Sequence, residues 1–253
     1  MVSVEPVNAQ EAYVDFWSMA FEIEKANLQK PACSFATSGR YVKRDPDGLL
    51  YFFYDIHTKS KVYASSAKNI EYLQAEVAHD TLLAQIPQEI CQLPFLAEKE
   101  LLYNDIDLYF SRPEDFQSVA SDGLDIRELS KANEAELTAL YTDCSEDDVD
   151  TLDLSFDDLC ILGLYIDNVL VGVTRYYIVP QTRGITDVAV LLARRVRGQG
   201  LSTPLVSRLV EIIIERGDIP RYRVKEDNIP SRSIAKRLGF SIAHRIMVWK
   251  WRD

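Results

Sequence analysis

The chain is poor in the residues that build metal centres and covalent frameworks. Its three histidines, His57, His79 and His244, stand far apart, so no metal site is expected. Its four cysteines, Cys33, Cys91, Cys144 and Cys160, are scattered without a C-x-x-C pair. That spacing speaks against a zinc ribbon or a disulfide framework and suits reduced thiols in the cytoplasm. No apolar run reaches the ~18–20 residues of a membrane-spanning helix. Residues 1–5 carry no basic flank leading into an apolar stretch, so neither a membrane contact nor a signal peptide is expected. Basic excess is also missing. The formal net charge is −11, which argues against a nucleic-acid partner.

What charge there is lies unevenly. Residues 1–123 carry 19 acidic and 10 basic side chains, whereas residues 124–253 carry 20 and 18. Seven of those 20 acids fall between Glu146 and Asp158. Apart from that insert the C-terminal half is basic, a distribution suited to an anionic cofactor beside a cationic substrate.

At 253 residues the chain is long enough for one large domain or two small ones. Residues 113–123 are polar, contain Pro113 and Gly123, and read as a linker between modules at 1–112 and 124–253. In the C-terminal module the pattern predicts a strand at 124–129 and a helix through Leu137, Leu140 and Tyr141, capped by Ser130. The acidic stretch follows, with a short helix near 156–159. A hairpin turning at Asp167-Asn168, a buried strand at 185–192 and a helix ending about residue 216 come next. A strand at 221–225, a helix at 230–238 and a terminal strand pair at 240–251 complete the module. The N-terminal module predicts a helix at 10–26, strands at 49–55, 61–64 and 101–110, and a helix at 68–86 broken near His79-Asp80.

The densest chemical signal is Arg197-Gly198-Gln199-Gly200-Leu201-Ser202, between the buried strand and the helix that follows it. Glycine removes the Cβ that would keep an anion from the backbone. A helix start offers N–H groups and the positive end of a dipole, which together make a pyrophosphate cradle. Arg194, Arg195 and Arg197 add cations on the approach, and Pro204 is tolerated in the first helical turn. A third glycine at dinucleotide spacing and a G-K-[ST] triphosphate loop are both absent. Taken alone, the turn reads equally well as a plain strand-to-helix connection.

Thirty residues on, the chain reads Asn228-Ile229-Pro230-Ser231 and, at the end of the same segment, Leu238-Gly239-Phe240. The loop resembles the R-x-x-G-x-[GA] acetyl-CoA loop of the GNAT superfamily of N-acetyltransferases. The second segment resembles that superfamily's N-x-x-[AS]…L-G-F motif, in the same order and at similar spacing. The resemblance covers residues 124–253. It implies an α+β fold with a mixed, mostly antiparallel sheet flanked by helices. The N-terminal module would then be a second α+β unit, a degenerate GNAT-like half that walls the acceptor cleft, as in the glycine N-acyltransferase-like branch.

The resemblance further implies that the backbone at Leu191 and Leu192 holds the pantetheine arm of acetyl-CoA. The amides of Gly198, Gln199, Gly200, Leu201 and Ser202, with Arg197, would hold the pyrophosphate. Asn228 and Ser231 would sit near the thioester. The expected activity is acetyl transfer from acetyl-CoA, or another acyl-CoA, to a small amine or peptide amine in a ternary complex, without a metal. A homodimer is the assembly allowed for. Two departures stand out: Ser202 replaces the usual last glycine or alanine, and Ala235 stands where the family often has a general-acid tyrosine, for which Tyr165 or Tyr222 could substitute. Among nearby carboxylates Asp187 is the candidate general base, its alternative being a solvated strand end. The acidic stretch from Glu146 is either an amine attractor or a solvated loop. Because of Ala235, a non-catalytic CoA-binding sensor or scaffold is carried as the alternative function.

Overall fold

The computed structural model describes residues 8–44, 49–78, 81–82, 90–91, 93, 96, 99–182 and 184–250. Its elements run α1 (Ala9–Phe21), β1 (Cys33–Ala36), α2 (Arg40–Arg44), β2 (Leu49–Asp55), β3 (Lys61–Ala64), α3 (Ala67–Glu76) and β4 (Glu100–Tyr109). They continue as β5 (Asp125–Glu128), α4 (Glu134–Tyr141), α5 (Glu146–Leu152), β6 (Cys160–Ile166), β7 (Val169–Ile178), β8 (Ile185–Leu192), α6 (Ser202–Glu215), β9 (Ile219–Lys225), α7 (Ile229–Arg237) and β10 (Ser241–Lys250). The fold is mixed α+β with mostly antiparallel strands flanked by helices. The described residues form two compact units: one from 109–222 and 230–241, the other from 10–108, 223–229 and 242–250. No described helix is long and apolar enough to cross a membrane.

In the first unit the strand order is β9-β8-β7-β6-β5, antiparallel throughout except for β8 with β9. The β6–β7 hairpin turns at Asp167 and Asn168, both left-handed at φ 51° and 61°. Two successive positive φ values match the twist of the flanking strands, and Asp and Asn tolerate them best after glycine. Helix α6 buries Leu205, Val206, Leu209, Val210 and Ile213. That face packs against β6, β7 and β8, and truncating any one of its Leu or Ile side chains to alanine should cost ~2–5 kcal/mol. The segment expected as a linker is tied down. The Gln117 amide donates to the Leu238 carbonyl at 3.0 Å, and the Val119 amide to Ser207 Oγ on α6 at 2.8 Å.

The Leu238-Gly239-Phe240 motif has a packing explanation in the same unit. Gly239 takes φ 90°, and a Cβ there would lie 2.1 Å from the Asp115 carbonyl oxygen. Only glycine lets the end of α7 meet the 113–117 turn so closely. Phe240 then packs, tilted by 32°, on Phe110 at 4.1 Å between ring centroids and meets the edge of Tyr222 at 5.7 Å.

In the second unit the order is β1-β3-β2-β10-β4, with β1 parallel to β3 and β2 antiparallel to both β3 and β10. Helix α1 buries Tyr13, Phe16, Trp17 and Phe21, and Trp17 packs on Phe53 at 4.7 Å. His244 and Asp55 face each other across β10 and β2 and pair at 3.4 Å, with His244 almost wholly buried.

Several elements differ from expectation. The terminal strand pair is one strand, β10, with residues 251–253 outside the described residues. The short helix expected near 156–159 is a turn, and helix forms instead over the acidic residues of α5. Helix α1 stops at Phe21 because Glu22 takes φ 53°. Helix α3 ends at Glu76, and the break expected at His79-Asp80 lies outside the described residues.

Candidate functional site

Strand β8 pairs with β7 along its whole length, from Ile178↔Thr186 to Gly172↔Leu192. Its parallel pairing with β9 is much shorter: Ile185↔Ile219, Thr186↔Pro220 and Asp187↔Arg221. Among the described residues no rung with β9 follows Asp187. The last five residues of β8, including Leu191 and Leu192, therefore have one edge outside the ladder. Backbone groups on such an edge can pair with an extended ligand, although the Leu192 carbonyl already accepts from Arg197 Nε.

The chain leaves β8 through a 3₁₀ turn at Arg194–Val196 and reaches the glycine loop. Gly198 and Gly200 take φ 76° and 80°, and a Cβ built on either would meet nothing within 4 Å. The cradle thus opens onto free space, and both positions use the left-handed backbone that glycine adopts without strain. Helix α6 begins at Ser202 with Leu201 as its N-cap. No side chain caps this end, and its first turn carries no acid. Ser202 replaces the usual small residue without interrupting the helix. The expected residues Gly198, Gln199, Gly200, Leu201 and Ser202 thus gather at one helix start, and Arg197 links them to β8 by donating from Nε to the Leu192 carbonyl at 2.9 Å. An anion fits this loop on its own geometry.

The arginines on the approach have partners that the sequence did not suggest. Arg197 Nη2 also donates to Asp148 Oδ2 at 3.0 Å, and Arg195 Nη1 to Asp143 Oδ2 at 2.6 Å. Asp148 stands in the first turn of α5, where Ser145 Oγ donates to it at 2.6 Å and accepts from its amide at 3.3 Å. This reciprocal cap, with the Arg197 bond, holds the Asp148 carboxyl below the usual carboxylate range. At the other end of α5, buried Arg175 of β7 donates twice to the Leu152 carbonyl, at 2.8 and 2.6 Å. A cation on the last carbonyls anchors that end as well. The acidic stretch is therefore an anchored helix that supplies counter-charges to the loop. The S-x-x-D pattern of Ser145 and Asp148 was its available signal.

The candidate catalytic residues divide differently. Asp187 is held by Arg221, whose Nε and Nη2 donate to its two oxygens at 2.8 and 2.7 Å, and the Tyr177 hydroxyl donates to it at 3.1 Å. It is thus no open strand-end carboxylate, and a substrate amine would have to compete with a guanidinium for it. Ser231, in the first turn of α7, shares a 2.9 Å hydrogen bond with the hydroxyl of Tyr222. Burial pushes the Tyr222 phenol up to about 12, so it stays protonated. Tyr165 donates to Glu136 at 2.7 Å, and burial together with that carboxylate raises its phenol to about 12 too. Ala235 is fully buried, so α7 presents no hydroxyl there. Asn228 belongs to the second unit and is exposed, its amide donating to the Lys225 carbonyl at 3.0 Å. For Cys144 burial is the largest influence on the thiol and raises it, which does not favour a nucleophilic thiolate.

The Acetyltransferase (GNAT) family model matches residues 126–240. No curated protein matches the chain. Among solved structures, an acetyltransferase of the GNAT family from Colwellia psychrerythraea has a TM-score of 0.50 at 11% identity over 75% of this chain and 76% of that one. A putative GNAT-family acetyltransferase from Novosphingobium aromaticivorans has a TM-score of 0.47 at 18% identity over 61% of this chain and 68% of that one.

Proposed function

We propose, from the premise that residues 126–240 are an acetyltransferase domain of the GNAT family, that this protein transfers an acyl group, most simply acetyl, from acyl-CoA to a primary amine by direct attack in a ternary complex. One observation carries this reading. An open, doubly left-handed glycine cradle at an uncapped helix start adjoins the end of β8, beyond its last rung with β9. The loop amides would take the pyrophosphate, and the backbone at Leu191 and Leu192 the pantetheine.

The nitrogen attacks the thioester carbonyl carbon, the C–N bond forms, and the C–S bond breaks with the electron pair leaving on sulfur. A thiolate is a good leaving group at neutral pH, since thiol pKa values are ~8–9. Little general-acid assistance is therefore needed, which is compatible with Ala235. The chain's share is positioning, backbone N–H polarisation of the carbonyl and hydrogen bonding from the Ser231–Tyr222 pair. Asp187 is not assigned the base role, because both of its oxygens are engaged; the amine loses its proton to water.

The buried Ala235 and the engaged Asp187 favour a second reading, a CoA-binding sensor without turnover. Thiol release from acetyl-CoA across a panel of amines, beside calorimetric titration with CoA, separates the two. Turnover on any amine supports the transferase. Saturable binding without turnover selects the sensor, and absence of binding removes both.

A further inference from the structure

The chain places two carboxylates against the two arginines that flank the glycine loop. Arg197 is fixed from two directions, by the Leu192 carbonyl at its Nε and by Asp148 at its Nη2. Arg195 meets Asp143. The carboxylate of Asp148 is delivered by α5, a helix anchored at its start by Ser145 and at its end by Arg175. Both ion pairs remain open to solvent, with side-chain exposures of 41% and 36% for Arg197 and Asp148, and 49% and 32% for Arg195 and Asp143. An arriving anion can therefore reach the guanidinium groups, and it must share them.

We infer that Asp148 and Asp143 are internal anions that compete with the CoA pyrophosphate for Arg197 and Arg195, and so set how tightly CoA is held and how fast it leaves. The inference rests on the reading of this loop as a CoA site. Its sign follows from the geometry. The bond to the Leu192 carbonyl keeps Arg197 in place without Asp148, so removing the carboxylate leaves the guanidinium where it is with its charge uncompensated. A bound diphosphate then gains attraction and loses a like-charged neighbour. After transfer, free CoA occupies the same loop, and the returning carboxylates shorten its stay. Asp148 acts through Arg197 and is a positioning residue; it needs no contact with the substrate.

The test uses the full chain and CoA itself. Asp148→Asn keeps an oxygen for the Ser145 hydroxyl, so the cap of α5 is retained; Asp143→Asn lies outside the cap and probes the second pair independently. Affinity is read by calorimetry at low salt, and release by stopped-flow chase, with circular dichroism confirming helix content. Each variant should bind CoA about two- to fivefold more tightly, as expected for relief of one solvent-exposed charge pair, with the gain appearing as slower release. In an Arg197→Gln background the Asp148→Asn gain should shrink to the part that comes from removing a like charge beside the diphosphate. Folded variants with unchanged or weaker affinity overturn the inference, as does an Asp148→Asn gain that is undiminished without Arg197. Failure of the unaltered chain to bind CoA instead overturns the loop assignment.

Discussion

Gly200→Ala separates the conformational role of the glycine loop from its binding role. Gly200 takes φ 80° and has nothing within 4 Å of where a Cβ would stand. An alanine there meets no atom of the protein, so its cost is the left-handed backbone alone, ~1–2 kcal/mol. Gly217, just past the end of α6, takes φ 79° and is equally unobstructed. It provides a matched control: Gly217→Ala should lose the same stability. The variants should differ in CoA affinity. A methyl group in the cradle holds a phosphate away from the loop amides, and losing one hydrogen bond to a charged group costs ~1.5–3 kcal/mol, or about ten- to a hundredfold in affinity. Urea unfolding followed by far-ultraviolet circular dichroism gives the stability, and calorimetry the affinity. If Gly200→Ala binds CoA within twofold of the unaltered chain, the cradle does not hold the pyrophosphate. If it loses far more stability than Gly217→Ala, the space above it is not open.

Three further outcomes are expected. Tyr222→Phe should leave CoA affinity within about twofold but lower turnover about tenfold, the worth of one hydrogen bond to Ser231, as read by steady-state thiol release. Asp187→Ala should destabilise the chain by ~3–5 kcal/mol because it strands a buried guanidinium, and pairing Asp187→Leu with Arg221→Met should recover most of that loss in urea unfolding. Burial pushes the Asp55 carboxyl up, but the bond from His244 and the amides of His57 and Thr58 outweigh it and leave the group below its ordinary value. A carboxyl depressed on folding contributes stability that is complete above its unfolded value and lost as pH falls through the folded one, so unfolding midpoints should drop below about pH 4 and Asp55→Asn should flatten that arm.

Local chemistry explains which parts of the fold were legible. The hairpin at Asp167-Asn168 could be read because turn residues and flanking β-rich runs specify it within a few positions. Helix α6 could be read from its spaced aliphatic residues. The loop could be read because its glycines at 198 and 200 are required by backbone geometry. Strand β1 and helix α2 span four and five residues, too short for periodicity to register. Helix α5 is hidden in the sequence because four of its seven residues are acids that mask its pattern; its stability comes from Ser145, Asp148 and the remote Arg175. The ion pairs of Asp143 and Asp148 join residues 49 to 52 positions apart, which no local pattern reports.

Asp187 shows why register matters more than residue type. A carboxylate near a reaction channel has the chemistry of a base, and nothing nearby in sequence argues otherwise. Parallel strands need a crossover, here through the glycine loop and α6, so the partner of Asp187 lies 34 positions away. That partner, Arg221, stands opposite it on the last rung shared by β8 and β9. The ion pair ties the two strands where their ladder ends, and beyond it β8 is paired only with β7. The edge assigned to pantetheine begins at this point. Influence of Asp187 on turnover then passes through strand geometry: its variants should lose stability and CoA affinity together. A base would behave otherwise, its loss shifting the pH profile of turnover while leaving CoA binding intact.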